Sequence, residues 1–479
     1  MVGIISYGAY IPLLRINRNI IAEAWGRNSI GGERSVANHD EDSVTMAIEA
    51  ATNCLLDTEL EREGIGGLYF ATTTAPYLEK MNSTLIATAL DLGREIETSD
   101  FGNSLRSGTG ALKAALGITG CGSAKNLLVA AAEQRLAYPR SDQEQVFGDG
   151  AAAVLVGTEN LSATFEGSYS LSEEIVDVWR NPEDRYVKSW ENRFVLEEGF
   201  TAGMTAVVSG LLKRYNLKPA DIATAILPAF DARSHRTLAQ KLGFDFKTQV
   251  QDPLIVNVGY CGTAQPLIML AAVLETAKPG DLLLLAAYGD GADALLFKVT
   301  ENNSNRTKHK TLKSFFDQKR MLSSYTRYLS YRGILEAVPG EPFRLFPSAT
   351  TSWRERASSL RCHAGKCRQC ELVTYPIQRV CYQCRSKDDF DEIRLSEIKG
   401  RVFTFSLDNL AGRSDDPSIV QTVVEMDNGS RFYGVMTDCD PANVFLNMPV
   451  ELTFRRIYEG AGFHNYFWKC RPALKGGME

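Results

Sequence analysis

Short apolar runs alternate with stretches of helical period along the first three hundred or so residues. Val2 to Ser6 predicts a first strand. Asp42 to Asp57 predicts a helix: Val44, Ala47, Ile48, Ala51 and Leu55 share one face, and Asp42 or Ser43 suits the cap. Gly67 to Thr72 predicts a buried strand, and Leu105 to Ile118 a buried helix of small residues. Leu127 to Ala132 and Ala151 to Val156 predict two further strands. Alternation of this kind implies a layered α/β domain.

The pattern repeats. Ser107-Gly108-Thr109 opens a helix, then come the strand at Leu127, the turn Phe147-Gly148-Asp149-Gly150-Ala151 and another strand. Cys261-Gly262-Thr263, the strand Leu282 to Ala287 and the turn Tyr288-Gly289-Asp290-Gly291-Ala292 follow in the same order. The spacing, roughly 140 to 155 residues, exceeds a solenoid unit of about 20–50 and fits a duplication.

Beyond the repeat the pattern changes. Asn302 to Lys319 is polar and predicts an exposed connection, with Arg306, Lys308, Lys310 and Lys313 on a solvated face. Tyr325 to Gly333 is aromatic and predicts a segment docked on the first domain. A new unit begins near Pro339, with a helix from Thr350 to Arg361. Short strands follow at Arg401 to Leu407, Ile419 to Glu425, Arg431 to Thr437, Pro449 to Arg456 and Tyr466 to Arg471, which suits a small barrel of the OB type.

Composition narrows the function classes. The chain has 479 residues, 44% hydrophobic and 23% charged, which fits roughly three globular domains. With 52 basic and 58 acidic residues it lacks the basic excess of a nucleic-acid binder. Arg455, Arg456, Tyr458, Phe463, Tyr466 and Trp468 superficially fit a single-strand groove, but the aromatics alternate as core residues would. The N-terminus does not read as a signal peptide, and the apolar runs Leu267 to Leu274 and Leu282 to Tyr288 are too short to span a bilayer. The expectation is a soluble, cytoplasmic protein without membrane or nucleic-acid partners.

Five of the ten cysteines crowd between Cys362 and Cys384. Cys367-x-x-Cys370 and Cys381-x-x-Cys384 form two knuckles that can converge on one structural zinc ion. A redox pair is the competing reading. Cys362-His363 reads as the end of the preceding helix rather than as further ligands.

Several segments carry a family resemblance. Gly3-Ile4-Ile5-Ser6-Tyr7-Gly8-Ala9-Tyr10-Ile11-Pro12, the run Asp40 to Ala51 and Tyr325 to Gly333 resemble hydroxymethylglutaryl-CoA synthases of the archaeal and bacterial type. Lys366 to Cys370, Tyr375-Pro376, Cys381 to Cys384 and Lys469 to Ala473 resemble the zinc-ribbon and OB-fold partners of acyl-CoA thiolases. The resemblance implies a duplicated, five-layered thiolase-like α/β fold followed by a rubredoxin-like zinc ribbon and an OB-fold barrel. The units would be 1–165, 166–335, 336–392 and 393–479. It also implies a coenzyme A thioester as substrate, a homodimer or higher oligomer, and a thiolase partner subunit.

The catalytic residues depart from that family. Its nucleophilic cysteine falls on Leu105, its glutamate near Thr73, its histidine near Pro228 and its asparagine on Tyr260. Three readings follow. One is aldol- or Claisen-type C–C chemistry on an acyl-CoA without an acyl-enzyme, with Tyr260 or Tyr288 as base and Asp231 and His235 as other acid–base candidates. Another is a condensing enzyme with a displaced nucleophile, Cys261 before a helix or Ser104 beside Leu105. The third is a non-catalytic, CoA-binding scaffold of a thiolase complex.

Overall fold

The computed structural model describes residues 1–305, 310–335, 347–413 and 417–474. Strand β1 (Gly3–Tyr10) is followed by α1 (Ser43–Leu56), β2 (Gly67–Ala71), α2 (Asn82–Ala89), β3 (Glu97–Phe101), α3 (Ser107–Gly120), β4 (Leu127–Glu133) and β5 (Gly150–Gly157). Then come β6 (Ala163–Ser172), α4 (Ala202–Arg214), β7 (Thr224–Ile226), α5 (Ala232–Leu242), α6 (Gln265–Leu274), β8 (Leu282–Tyr288) and β9 (Gly291–Val299). The strands lie in the order β7-β8-β9-β6-β1-β5-β4-β2-β3.

The duplication is visible in the pairing. β1–β5–β4 are antiparallel neighbours and β4–β2–β3 parallel ones. β6–β9–β8 are likewise antiparallel, and β8–β7 parallel, with Val250 bridging Ala225 where a β3 counterpart would lie. The halves meet where Gly3 and Ile4 pair with Thr164 and Ala163. Both halves thus share one strand order. Helices α3 and α6 pack against the strands and each other. Gly108 lets them approach: a Cβ there would sit 2.5 Å from the Thr263 carbonyl oxygen.

Asp42 caps α1 in a reciprocal capping box with Thr45. Helix α3 starts two residues later than the apolar pattern predicts, at Ser107, because Leu105 and Arg106 belong to the turn before it. The helical run Asn192–Arg214 is long and apolar enough to cross a membrane by length and composition. Here its Met204, Val207, Val208 and Leu211 are buried in the core of the second half.

Three expectations for the middle of the chain need correction. Asn302 to Lys319 is not simply exposed: Leu312–Asp317 is a helix that buries Phe315 against Tyr10, and Lys310 pairs with Glu49 and Glu451. Lys313 is exposed, whereas Arg306, Lys308 and the Pro339 boundary lie outside the described residues. The helix from Thr350 to Arg361 is two short pieces, Ala349–Arg354 and Arg356–Ser359. Cys362-His363 does not end it: Cys362 is a buried residue with a φ of +58° between helix and strand, and His363 starts the strand His363–Cys367. That strand is central in a three-stranded sheet with Val373–Thr374 and Phe390–Arg394. Tyr325–Tyr331 does dock on the first half, where Arg332 reaches buried Asp149 at 2.7 Å.

The last five strands close a barrel: Gly400–Asp408, Ile419–Met426, Arg431–Met436, Pro449–Gly460 and Phe463–Pro472. The barrel joins the α/β part through buried ion pairs. Asp40 meets Lys469 at 2.8 Å and Arg455 at 3.3 Å, Glu41 meets Arg455 at 2.7 Å, and Glu49 pairs with Arg471. Tyr466 donates to Asp42 at 2.8 Å, and Trp468 is buried beside it against Phe454. The basic and aromatic residues that superficially suit nucleic acid are thus largely committed to this junction.

Candidate functional site

A cavity of about 630 Å³ opens where the loops after β2 and β8 and the turn before α3 converge. Thr72 and Thr73, Ser104 and Leu105, Arg135, Asp177 and Gly289 contribute to its wall. Gly289 is required by this convergence. Its φ is +155°, and a Cβ would lie 2.9 Å from Ser104 Oγ and 3.0 Å from the Arg106 nitrogen.

Two polar constellations frame the cavity. Asp177, only 3% exposed, accepts a 2.5 Å hydrogen bond from the Tyr288 hydroxyl and a 2.6 Å bond from the Val178 nitrogen. Burial, reinforced by that bond to Asp177, pushes the Tyr288 hydroxyl far above its ordinary pKa. Tyr288 therefore holds its proton and orients the carboxylate. Glu133, fully buried at the end of β4, lies behind the loop after β2. It accepts from Thr74 Oγ1 at 2.7 Å, Thr73 Oγ1 at 3.0 Å, the Thr73 nitrogen at 3.1 Å and the Thr263 nitrogen at 3.3 Å. So many donors saturate Glu133 as a fixture for the loop.

The chain is 32% identical over 337 residues to a hydroxymethylglutaryl-CoA synthase of Thermococcus sibiricus, covering 69% of this chain and 96% of that one. It belongs to the hydroxymethylglutaryl-CoA synthase family. A synthase from Pyrococcus furiosus is 31% identical, with the same coverage. Residues 212–298 match the family described as 3-oxoacyl-[acyl-carrier-protein (ACP)] synthase III C terminal. Among solved structures, PksG, an HMG-CoA synthase from Bacillus subtilis, superposes with a TM-score of 0.61 at 19% identity, over 70% of this chain and 89% of that one. The 3-oxoacyl-[acyl-carrier-protein] synthase III of Aquifex aeolicus gives 0.57 at 23%, over 62% and 100%. The fold is the thiolase-like α/β fold.

Within this hydroxymethylglutaryl-CoA synthase family member, the sequence-derived candidates separate. Ser104 lines the cavity beside Leu105, and its Oγ meets the Arg106 nitrogen at 3.5 Å, with no base in hydrogen-bond reach among the described residues. Tyr260 is buried against Phe230, ring centroids 4.6 Å apart. Burial drives its pKa up despite nearby Arg135, so its hydroxyl keeps its proton, and it is not among the cavity-lining residues. Cys261 is fully buried, next to Gly150 and Ile268, and is not among the cavity-lining residues. Burial, with Asp149 adding to it, pushes its thiol well above the ordinary value, against the helix-end lowering that its position predicts. Asp231 caps α5, accepting from the Ser234 nitrogen at 2.8 Å and Ser234 Oγ at 2.6 Å. His235 is 1% exposed against Phe246, and burial lowers its pKa to about 4. Neither lines the cavity.

Asp177 and Arg135 were not legible as site residues. The one available signal is the run Glu133-Gln134-Arg135, charged residues directly after an apolar strand.

The four knuckle sulfurs lie within 4.8 Å of one another, with Cys367–Cys384 and Cys370–Cys381 at 3.5 Å. A tetrahedron with metal–sulfur bonds of ~2.3 Å has sulfur–sulfur edges near ~3.8 Å, so the donor set fits zinc. Four thiolates would leave no open coordination position.

Proposed function

We propose that this protein forms or cleaves a C–C bond adjacent to the carbonyl of an acyl-CoA thioester, by aldol- or Claisen-type chemistry and without an acyl-cysteine. The observation that carries this reading is the cavity itself. Leu105, the residue to which the family resemblance assigns the nucleophile's position, stands before α3 and lines the cavity, and the Asp177–Tyr288 pair lies near a loop fixed by Glu133. Family membership supports the thioester, and the absent nucleophile removes the acyl-enzyme.

In this reading Asp177 is the proton acceptor. In cleavage it takes the β-hydroxyl proton, the oxygen pair closes the new carbonyl at the β-carbon, the C–C pair passes to the α-carbon as the thioester enolate, and Asp177 returns the proton to the α-carbon. Condensation runs the same steps backwards. Tyr288 and the Val178 nitrogen hold the carboxylate in place. The four cysteines would hold zinc, which stiffens the ribbon. The closing barrel fits an OB-type module held on the catalytic part, as in acyl-CoA thiolase complexes.

The test is intact-protein mass spectrometry after incubation with acetyl-CoA, beside turnover assays with β-hydroxyacyl-CoA thioesters. The expected result is an unmodified chain with turnover. An acetylated peptide containing Cys261 or Ser104 would overturn the mechanism and favour a displaced nucleophile. CoA binding without turnover on any such thioester would favour the scaffold.

A further inference from the structure

We infer that Arg135 is a catalytic residue that stabilises the negative charge on the thioester oxygen as the enolate forms; this rests on the reading proposed above. Arg135 lies two residues beyond β4, is 4% exposed and lines the cavity with Thr73, Leu105 and Asp177. Its guanidinium stacks on Phe147, 4.4 Å from the ring centroid. Its backbone oxygen accepts from Arg332 Nη2 at 2.8 Å, which anchors the main chain.

The side chain itself has no anchor. Among the described residues, its guanidinium makes no hydrogen bond within 3.5 Å and has no carboxylate oxygen within 4.0 Å. Each of the other buried arginines has at least one anchor, Arg15 on the Leu14 carbonyl and Arg34 on the Tyr328 hydroxyl, although both also leave nitrogens unpaired. Arg18 donates to the Gln145 and Gly31 carbonyls, Arg332 pairs with Asp149, and Arg455 and Arg471 sit among carboxylates. A buried guanidinium with its donors left open is costly unless something fills them. Phe147 covers one face, so the N–H edge is what remains for the cavity.

Preorganised donors at the oxygen that becomes charged are worth most in a site that excludes water. In the step, the Asp177 carboxylate takes an α-proton. The C–H pair becomes the C=C bond, the carbonyl pair moves onto oxygen, and the Arg135 N–H groups bond to that oxygen. Reprotonation reverses each movement.

The experiment follows α-proton exchange of acetyl-CoA in D2O by NMR, using full-length protein. Wild type should exchange. Arg135→Gln should slow exchange by about 10²–10³-fold with unchanged acetyl-CoA affinity, the range for removal of an oxyanion donor. Arg135→Lys, which keeps the charge without the fork, should fall between and guards against a folding defect of the Gln variant. Exchange that survives in a folded Arg135→Gln overturns the inference. So does a wild-type protein that binds acetyl-CoA without exchange. Preferential binding of malonyl-CoA or succinyl-CoA that disappears in Arg135→Gln also overturns it, by making Arg135 the holder of a substrate carboxylate. A wild-type protein that does not bind acetyl-CoA overturns the parent reading as well, so the two failures are distinguishable.

Discussion

The 2.5 Å bond from Tyr288 to Asp177 assigns roles that residue types alone leave open. A tyrosine base needs a depressed pKa, and burial and the bond to Asp177 raise that of Tyr288, so its hydroxyl keeps its proton. Asp177→Asn should therefore lower turnover of the preferred thioester by about 10²–10⁴-fold, the span of general-base contributions, in a steady-state assay. Tyr288→Phe should reduce it less, because the Val178 nitrogen still holds the carboxylate. The rate should not climb between about pH 8 and 10, where a tyrosinate base near its ordinary pKa would switch on. That Leu105 stands just before a helix was legible, because Ser107-Gly108-Thr109 marks where the helix begins. Asp177 was not, because its segment carries no apolar period and no motif; its role comes from Tyr288, 111 residues away.

At the scale of elements, periodicity predicted what periodicity controls. The core strands and α1 match their apolar patterns within a few residues, and the five barrel strands stand where turn residues divide the chain. What failed was the reading of polar segments as solvated. Lys310, expected on a solvated face, is only part-exposed, since its partners Glu49 and Glu451 come from distant segments. This junction makes stability depend on pH. Burial raises Glu41 to about 7, Arg455 opposing and Asp438 adding to it. A carboxylate raised in the folded state favours folding below its unfolded pKa, and that contribution is lost as pH rises through the folded value. Burial works to raise Glu49 too, but Arg471 and Lys310 outweigh it and hold it at about 2. Its contribution is present above its unfolded pKa and lost as pH falls toward 2. Thermal unfolding should show Tm falling from about pH 5 to 7.5, and Glu41→Gln should flatten that fall while leaving the acid limb. For the ribbon, elemental analysis should find one zinc per chain. Cys381→Ser should lose it and open the His363–Cys367 sheet to proteolysis, without moving the pH-dependent limb.

For the whole molecule, the duplicated core, the four-cysteine cluster and the strands of the closing barrel were legible, because each is announced by a local signal. How they fit together was not. One apolar cluster runs from the α/β strands through Cys362, Ala364 and Leu395 to Val420, Phe432 and Trp468 in the barrel. A chain ending at residue 335 would expose that surface and leave Asp40, Glu41 and Glu49 without Arg455, Lys469 and Arg471. Removing one side of a buried ion pair typically costs about 3–5 kcal/mol. The truncated protein should therefore accumulate in the insoluble fraction, as checked by expression and sedimentation, while the full chain stays soluble.

Arg455 is the residue on which Asp40, Glu41 and Asp438 converge, two of them from the N-terminal segment and one from the barrel. Such a knot removes the usual independence of fused modules. Separate domains melt in separate steps, but here neither part can loosen without uncovering charge in the other. Calorimetry should record a single endotherm for the two, and the slowest-exchanging amides should lie on both sides of the junction together. The segment that carries the four cysteines is bound into the same unit, since His363 and Arg361 reach Asp91 and Tyr375 packs on Phe432 of the barrel.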